Sequence, residues 1–363
     1  MIREEIVRSA VTPKNKMEPT SATNISDNPP LKRQKTARDA GLDFTKGALV
    51  LLMVLYHWLN YFVSDQGFDY YRYIRFITPS FIFLAGFLVT NLLATRAGQN
   101  SSSLSARLFI RSGKLLALYT VLNLGVAWIE GGGSNRTLGL GFGAFIETVP
   151  EIYLTGAGAS FVVLLPISYT LMLSALFQKT QNLPCLYHPV PMVFAFLIVS
   201  GLVLSGIRSD MLELISFGLL GLIIGYYVAQ RRDHLCQLWP WLVVGYVLHL
   251  AALTFWGVPY MLQLVSVCLN LSLVYCLGHI VRPPSATARL MLLLGQYTLL
   301  GYVGQIAILQ ILVVVFRLMD LGPLEAPLAF VAALLLTVTT IAVTDLLRNR
   351  LQLVNSLYRL IFA

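Results

Sequence analysis

Charged side chains are scarce in this chain of 363 residues, of which only 12% are Asp, Glu, Lys or Arg and 56% are hydrophobic. A soluble domain carries roughly twice that charged fraction. Two ordinary soluble domains would fit the length, but a chain so poor in charge cannot cover their surfaces with polar groups. The chain is therefore predicted to be an integral membrane protein.

Cysteine is also rare. The four cysteines form no CxxC pair and no even framework of loop positions, so we expect neither a disulfide scaffold nor a zinc site. The histidines near the ends of the apolar runs have no metal-ligand spacing, and we expect no metal cofactor. The cysteines are Cys185, Cys236, Cys268 and Cys276.

Long apolar runs are absent from the first 41 residues. This segment is polar and contains several prolines, which is typical of a disordered tail. It also lacks the apolar core that a secretory signal peptide needs. We therefore divide the chain into a disordered basic tail, residues 1–41, and a transmembrane domain, residues 42–363.

Apolar runs of spanning length follow one another through the second segment. A membrane core requires roughly 20 apolar residues per helix, so the sequence predicts an all-α, polytopic protein with about ten transmembrane helices. The ninth run is long enough to tilt, kink or extend beyond the membrane. The predicted helices cover residues 43–63, 75–95, 107–128, 151–177, 190–207, 211–230, 238–256, 259–280, 287–317 and 325–346.

Basic residues are concentrated in alternate loops. If the N-terminus is inside, the inner loops and C-terminal tail hold twelve basic and two acidic residues, against five basic and nine acidic residues outside. The positive-inside rule then predicts that both termini are cytoplasmic, in a plasma membrane, with a bacterial inner membrane as the expected case. The net charge of +9 is thereby assigned to contact with anionic membrane lipids, and no nucleic-acid partner is expected.

Two ionisable residues stand out in the first predicted helix, Lys46 and His57. Almost three helical turns separate them, so both project from one face, about 16 Å apart along the axis. An ionisable residue within a span is costly and suggests function by default. The alternative for Lys46 is an anchor that snorkels to the interface, and the alternative for His57 is a hydrogen bond to a neighbouring helix.

The segment DFTKGALVLLMVLYHW, residues 43–58, resembles the first helix of the acyltransferase-3 family of multispanning membrane acyltransferases, which modify sugars and glycans. That helix typically has an acidic residue, a basic residue followed by a small one, ten intervening positions and a histidine. Asp43, Lys46, Gly47 and His57 fill this pattern. Lysine stands here where the family usually has arginine.

Four further segments extend the resemblance to roughly the first 80 and the last 70 residues of the membrane part. Two are similar to the second helix and to the basic start of the third. LLGQYTLLGYVGQ resembles a late helix, with Thr298 in place of serine and Gln305 where histidine is common. The final segment is similar to tails in the related glucan succinyltransferase and heparan glucosaminide N-acetyltransferase-like groups. The segments are RFITPSFIFLAGF (75–87), ARLFIRSGKLLALY (106–119), LLGQYTLLGYVGQ (293–305) and DLLRNRLQLVNSLYRLIF (345–362).

The resemblance implies transfer of an acyl group, with acetyl as the first choice, from acyl-coenzyme A to a glycan or another polar acceptor. His57 is the expected general base or transient acyl carrier, with Asn60 and Tyr61 as candidates to orient it. The candidates for binding the acceptor or stabilising the oxyanion are Arg75, Thr298, Tyr302 and Gln305. The alternative for Arg75 is an anchor at the membrane interface. An ordinary interhelical hydrogen bond is the alternative for Asn60, Tyr61, Thr298, Tyr302 and Gln305.

The donor would enter from the cytoplasm, which requires a cationic mouth for its phosphates. Arg107, Arg111 and Lys114 are spaced four and then three residues apart and therefore share one helical face. Together with Lys46 they are expected to bind the coenzyme A phosphates. The alternative for this basic group is that it only follows the positive-inside rule, as other basic residues of inner loops do.

Two functions from other classes remain open. Ten spans, charged residues near the midplane and no soluble catalytic domain also fit a secondary transporter or glycan flippase. The two halves, however, have no matching pair of helices broken by Gly or Pro. A non-catalytic scaffold or sensor is the third possibility, and it gives Lys46 and His57 no task.

Overall fold

In the computed structural model, the described residues form a bundle of helices. Every regular element in the described ranges is a helix, which confirms the all-α prediction. The predicted tail lies outside these ranges apart from residues 39–41, where Asp39 accepts a hydrogen bond from the backbone N–H of Leu42 and caps the first helix. The described ranges are 39–63, 70–95, 101–130, 152–156, 160–180, 189–207, 209–228, 232–281, 285–319 and 322–362.

Besides a single helical turn at 152–155 and a 3₁₀ turn at Gly322–Leu324, fourteen helices follow one another along the described residues. They are α1 Ala40–Phe62, α2 Tyr71–Ile74, α3 Ile77–Thr95, α4 Ser101–Glu130, α5 Leu164–Thr180, α6 Val190–Leu204, α7 Asp210–Val228, α8 Arg232–Gln237, α9 Trp239–Trp256, α10 Tyr260–Ile280, α11 Ala286–Gln296, α12 Thr298–Met319, α13 Glu325–Arg350 and α14 Gln352–Phe362.

Seven helical segments of the described part are long and apolar enough to cross a membrane. Two shorter apolar helices, Leu164–Gln178 and Val190–Leu204, accompany them. The chain is therefore an all-α, multi-pass membrane protein. The seven segments are Ala40–Phe62, Tyr71–Thr90, Asp210–Val228, Trp239–Trp256, Tyr260–Ile280, Thr298–Met319 and Gly322–Arg350.

Two of the predicted helices differ from the observed ones. The prediction of one helix over 151–177 is wrong, because the turn at 152–155 stops at Gly156 (φ +70°) and α5 starts at Leu164. The ninth run is broken: α11 ends at Gln296, and α12 starts at Thr298 after Tyr297 leaves helical geometry (φ −111°, ψ 28°). The C-terminal tail also forms a helix of its own, α14, which the ten predicted spans did not include.

Helix α1 occupies the centre of the bundle and packs against α3, α10, α11, α12 and α13. At its start, which we call the proximal end of the bundle, the Tyr275 hydroxyl of α10 donates to Asp39 Oδ2 (3.5 Å). At its other end, the distal end, the Trp58 indole donates to the Ala326 carbonyl of α13 (2.7 Å). Both ends of α1 are thus tied to neighbouring helices.

The contact between α1 and α11 is close because both helices present glycine to it. A Cβ atom at Gly47 would contact the Met291 carbonyl group, with the carbonyl carbon 2.8 Å away. A Cβ atom at Gly295 would contact the backbone of Asp43, with the carbonyl carbon 2.7 Å away. The small residue after Lys46 is therefore a packing requirement of this crossing.

Candidate active site

His57 lies on the distal half of α1, between two tyrosine rings. Its ring meets the Tyr56 ring edge-on, with centroids 5.2 Å apart, and the Tyr61 ring lies at 6.4 Å. The Nε2 atom is buried, and no atom of the described residues hydrogen-bonds to it. A polar atom buried without a partner costs about 1–3 kcal/mol, so this imidazole is not explained by packing alone.

His57 also lines a cavity of about 340 Å³ at the distal end, which we call the His57 cavity. The cavity opens between α1, α3, α7 and α10, and α12 contributes one side chain. Polar and apolar groups share its wall. Its lining residues are Tyr56, His57, Asn60, Tyr71, Arg75, Thr78, Pro79, Ser160, Val162, Val163, Asp210, Glu213, Leu214, Gln263 and Tyr302.

One ion pair crosses the cavity. The Arg75 guanidinium, just before α3, donates to both carboxylate oxygens of Glu213 on α7, at 3.4 and 3.5 Å. Asp210 lines the same wall one turn earlier on α7. With His57 neutral, the charged residues of the wall sum to one net negative charge. The cavity therefore favours a neutral or cationic ligand over an anionic one.

Several hydroxyl and amide groups complete the wall. Tyr56 donates to the Tyr71 hydroxyl at 3.4 Å. Tyr302 is only 3% exposed, and its ring packs against Phe81 with centroids 6.3 Å apart. Gln263 presents an amide oxygen that is buried without a hydrogen-bond partner among the described residues. Such amide and hydroxyl groups are able to orient a ligand that carries hydroxyls.

Four predicted site residues, His57, Asn60, Arg75 and Tyr302, meet at this cavity. Three others do not line it. Tyr61 is 40% exposed beside the His57 ring. Thr298 donates its hydroxyl locally to the Gly295 carbonyl (2.8 Å). Gln305 is fully buried, and neither atom of its amide has a hydrogen-bond partner in the described part of the chain.

The predicted donor-binding residues lie towards the proximal end. Lys46 forms an ion pair with Asp43, one turn earlier on α1. Arg107 and Arg111 are exposed on α4, and Lys114 donates to the Arg359 carbonyl of α14 (3.4 Å). None of these four basic side chains is among the described residues that line the His57 cavity.

A second cavity, of about 230 Å³, lies at the proximal end and is almost wholly apolar. We call it the proximal pocket. It uses the same four helices as the His57 cavity, together with α8, and the two cavities have no lining residue in common. Its lining residues are Leu42, Thr45, Phe83, Leu84, Phe87, Ile224, Val228, Leu235, Cys268, Leu271, Ser272 and Tyr275.

The carboxylates of α7 are site residues that were not predicted from the sequence. Glu213 and Asp210 stand in the first turn of a helix, where a carboxylate is stabilised by the helix dipole without any other role. The sequence feature that could have identified these carboxylates is Arg75. Its opposite charge lies at the same predicted end of another helix. Among the described residues, no group of three or more His, Cys, Asp or Glu is placed to hold a metal ion.

No protein-family model matches this chain, and no curated protein matches it either. The side chains of the His57 cavity are therefore the structural basis for assigning a function.

Proposed function

We propose that this protein is a membrane-embedded acyltransferase, and that His57 is its general base. The donor is acyl-coenzyme A, with acetyl as the first choice, and the acceptor is a hydroxyl or amine of a glycan or another polar molecule. One observation carries the proposal. The buried Nε2 atom of His57 has no hydrogen-bond partner among the described residues, in the wall of a cavity that is large and polar enough for a sugar.

In this reaction His57 removes the proton from the acceptor as its oxygen or nitrogen attacks the thioester carbonyl. The carbon–sulfur bond then breaks, and the imidazolium returns the proton to the leaving thiolate. Asn60 and Tyr302 line the same wall and are the candidate donors for the oxyanion. In the covalent variant the His57 nitrogen attacks the thioester carbonyl and the coenzyme A thiolate leaves. The acceptor then attacks the acyl-imidazole, the imidazole leaves in its free form, and the acceptor's proton passes to the thiolate.

The wall composition supports a polar acceptor without negative charge. Asp210, Glu213 and the Gln263 amide offer acceptor oxygens for ligand hydroxyls or for an amine, and Arg75 neutralises Glu213. Tyrosines on α1 and before α3 add flat surfaces for a sugar ring. A phosphorylated or carboxylated acceptor would be repelled by the net negative wall.

We further propose ten crossings, with both termini cytoplasmic and the protein in a plasma membrane. The ten crossings are the seven long apolar segments, the shorter helices α5 and α6, and α4, whose 30 residues extend about 45 Å. The basic inner loops support this orientation. The proximal end of the bundle is then the cytoplasmic end, and the His57 cavity opens on the other side.

The donor must then reach His57 from the proximal end. Thr45, which lines the proximal pocket, lies twelve residues before His57 on α1, or about 18 Å along the axis. Met53, Ile82 and Phe217 fill the space between the two cavities and are fully buried. Acyl transfer by this route requires α1 to separate locally from α3 and α7.

The test uses purified full-length protein in detergent with radiolabelled acetyl-coenzyme A, and with glucose and glucosamine oligosaccharides as acceptors. His57→Ala is expected to reduce transfer by about 10²–10⁴-fold, the usual contribution of a general base. His249→Ala is the matched control, because His249 is also buried with both ring nitrogens unpaired among the described residues but lies away from the cavity. Full activity of His57→Ala would overturn the proposal.

A secondary transporter or glycan flippase is the second candidate. The specific observation in its favour is the pair of cavities at opposite ends of the same four helices, separated by packed side chains. This arrangement fits alternating access to a central path. The two functions separate in one comparison, since an enzyme consumes acetyl-coenzyme A in detergent whereas a transporter requires sealed vesicles.

A further inference from the structure

The last helix, α14, has two faces of opposite character. One face is packed against the protein: the Tyr358 ring lies 5.3 Å from the Tyr297 ring, between centroids. Phe362, one turn later on the same helix, stacks on Tyr358 with centroids 5.2 Å apart. The opposite face carries aliphatic side chains at helical spacing, and all of them are exposed. These are Leu353 (71% exposed), Leu357, Leu360 (66% exposed) and Ile361.

Arg348, in the last turn of α13, fixes the orientation of α14. Its guanidinium carbon lies 4.0 Å from the centre of the Tyr358 ring and 5.2 Å from that of Tyr297. The same group donates to the Tyr297 hydroxyl (2.9 Å) and to Asn355 Oδ1 (3.3 Å). These contacts hold the inner face of α14 against the bundle, so the aliphatic face must point away from it.

The first half of α4 lies beside α14. Lys114 donates to the Arg359 carbonyl (3.4 Å). Burial raises the pKa of the Tyr358 phenol, and the nearby positive charges of Arg348 and Arg111 act in the opposite direction. Arg111 is therefore close enough to act on Tyr358. The basic residues of α4 and of the chain end form one positively charged surface.

The position of α14 relative to the membrane follows from the length of α13. That helix has 26 residues and extends about 39 Å, which exceeds the roughly 30 Å of the hydrocarbon core. Its last turn, with Arg348 and Arg350, therefore lies at the headgroup level. A single extended residue, Leu351 (φ −116°, ψ 114°), separates the two helices, so α14 starts at the membrane surface.

The charge of this region is almost entirely positive. Residues 345–362 contain Arg348, Arg350 and Arg359 and a single acid, Asp345. That carboxylate already accepts a hydrogen bond from the Tyr297 hydroxyl (2.6 Å). The side chains of Arg350 and Arg359 are exposed. An aliphatic row next to exposed arginines complements lipid tails next to anionic headgroups.

We propose that α14 is an in-plane membrane helix that binds anionic phospholipids. Its aliphatic face inserts into the leaflet at which α13 ends, and Arg350 and Arg359 bind the phosphate-bearing headgroups. Each such arginine contributes about 1 kcal/mol near an anionic surface, so each one lost lowers the ratio of inserted to detached helix by about fivefold. The proposal is independent of the reaction assigned to His57.

The test attaches a spin label at one position at a time in the full-length protein, after the native cysteines are replaced by alanine. The labels stand at Leu353 and Leu360 on the aliphatic face and at Gln352 as the matched control. The protein is reconstituted into vesicles of phosphatidylcholine alone or with phosphatidylglycerol. Collision with oxygen, which dissolves in lipid, is compared with collision with a water-soluble nickel chelate.

Labels at Leu353 and Leu360 are expected to meet oxygen and to be shielded from nickel, with the reverse at Gln352. Phosphatidylglycerol should increase this difference in collision between the aliphatic labels and the Gln352 label. In the double variant Arg350→Gln, Arg359→Gln, phosphatidylglycerol should no longer increase it. Exposure of all three labels to nickel, or insertion that ignores headgroup charge, would overturn the proposal. Shielding of the aliphatic labels from both reagents would also overturn it, because a protein partner or a second copy would then cover the face.

A second readout avoids removal of the cysteines. Leu360→Trp adds one tryptophan to the native sequence. The emission of this tryptophan is obtained by subtracting the emission of the wild-type protein from that of the variant. Brominated phosphatidylglycerol should quench this emission more strongly than brominated phosphatidylcholine. Equal quenching by the two lipids would contradict the headgroup assignment.

Discussion

The two ends of the bundle treat their polar side chains differently. At the proximal end, the polar groups around Arg348 are joined to one another: Tyr297, Asp345 and Asn355 all share hydrogen bonds. At the distal end, His57 and Gln263 keep buried polar atoms to which no described residue forms a hydrogen bond. Arg348 Nε is also buried without a hydrogen-bond partner among the described residues, but it lies within a packed cluster. The residues His57 and Gln263 line a cavity, so their unpaired atoms are available to a ligand.

The largest effect is expected from removal of the His57 side chain at the distal end, with both activity and stability measured. His57→Ala should cost about 3–5 kcal/mol of transition-state stabilisation, the equivalent of 10²–10⁴ in rate. Its thermal unfolding in detergent should stay near that of wild type, because the imidazole Nε2 makes no hydrogen bond to the described residues. A large loss of stability with retained activity would reverse the assignment.

The crossing of α1 and α11 lies towards the proximal end, and it is sensitive to volume. Gly47→Val places two methyl groups against the Met291 backbone, and we expect a loss of about 3 kcal/mol in unfolding free energy. Gly113→Val on α4 is the matched control, since no atom lies within 4 Å of a Cβ built there. Equal stability of the two variants would show that α1 and α11 are free to separate.

Arg348→Ala should destabilise the proximal cluster without touching the His57 cavity. It removes two hydrogen bonds and the stacking on two tyrosine rings, which we expect to cost about 2 kcal/mol at this half-buried position. Arg350→Ala, two residues later and exposed, should stay within about 0.5 kcal/mol of wild type in detergent. Thermal unfolding of both variants tests the difference.

The smallest effect is expected from removal of a single oxygen atom at the proximal end. Tyr297→Phe keeps the ring that packs on Tyr358 and removes only the hydroxyl between Asp345 and Arg348. We expect a loss of about 1 kcal/mol, read as a shift in the unfolding midpoint, with acyl transfer unchanged. A fall in transfer with no change in midpoint would instead connect Tyr297 to the reaction.

Much of the architecture could be predicted from the sequence. Each of the ten predicted runs contains a helix, because only helices satisfy the backbone of an apolar segment in lipid. The long ninth run was expected to tilt, kink or extend, and the break is found at Tyr297. The prediction of one helix over 151–177 was wrong because Gly156 takes a positive φ of 70° and residues 160–163 form a turn before α5.

The site was only partly predictable, for a physical reason. In a membrane helix both the lipid face and the protein face are apolar, so hydropathy does not reveal which side chains meet. His57, Asn60 and Arg75 were found because polar residues are rare at those depths. Glu213 could not be identified from the sequence, because a carboxylate in the first turn of a helix is stabilised by the helix dipole in any case. The α14 surface lies in a segment that is similar to family tails.

The break at Tyr297 has a consequence for insertions and deletions. One residue more or fewer at this joint would rotate α12 by about 100° relative to α11. Tyr302, five residues further on, would then turn away from the cavity, and the buried Gln305 amide would turn towards another neighbour. The number of residues between these two helices is therefore as strictly determined as the identity of any side chain in the cavity wall.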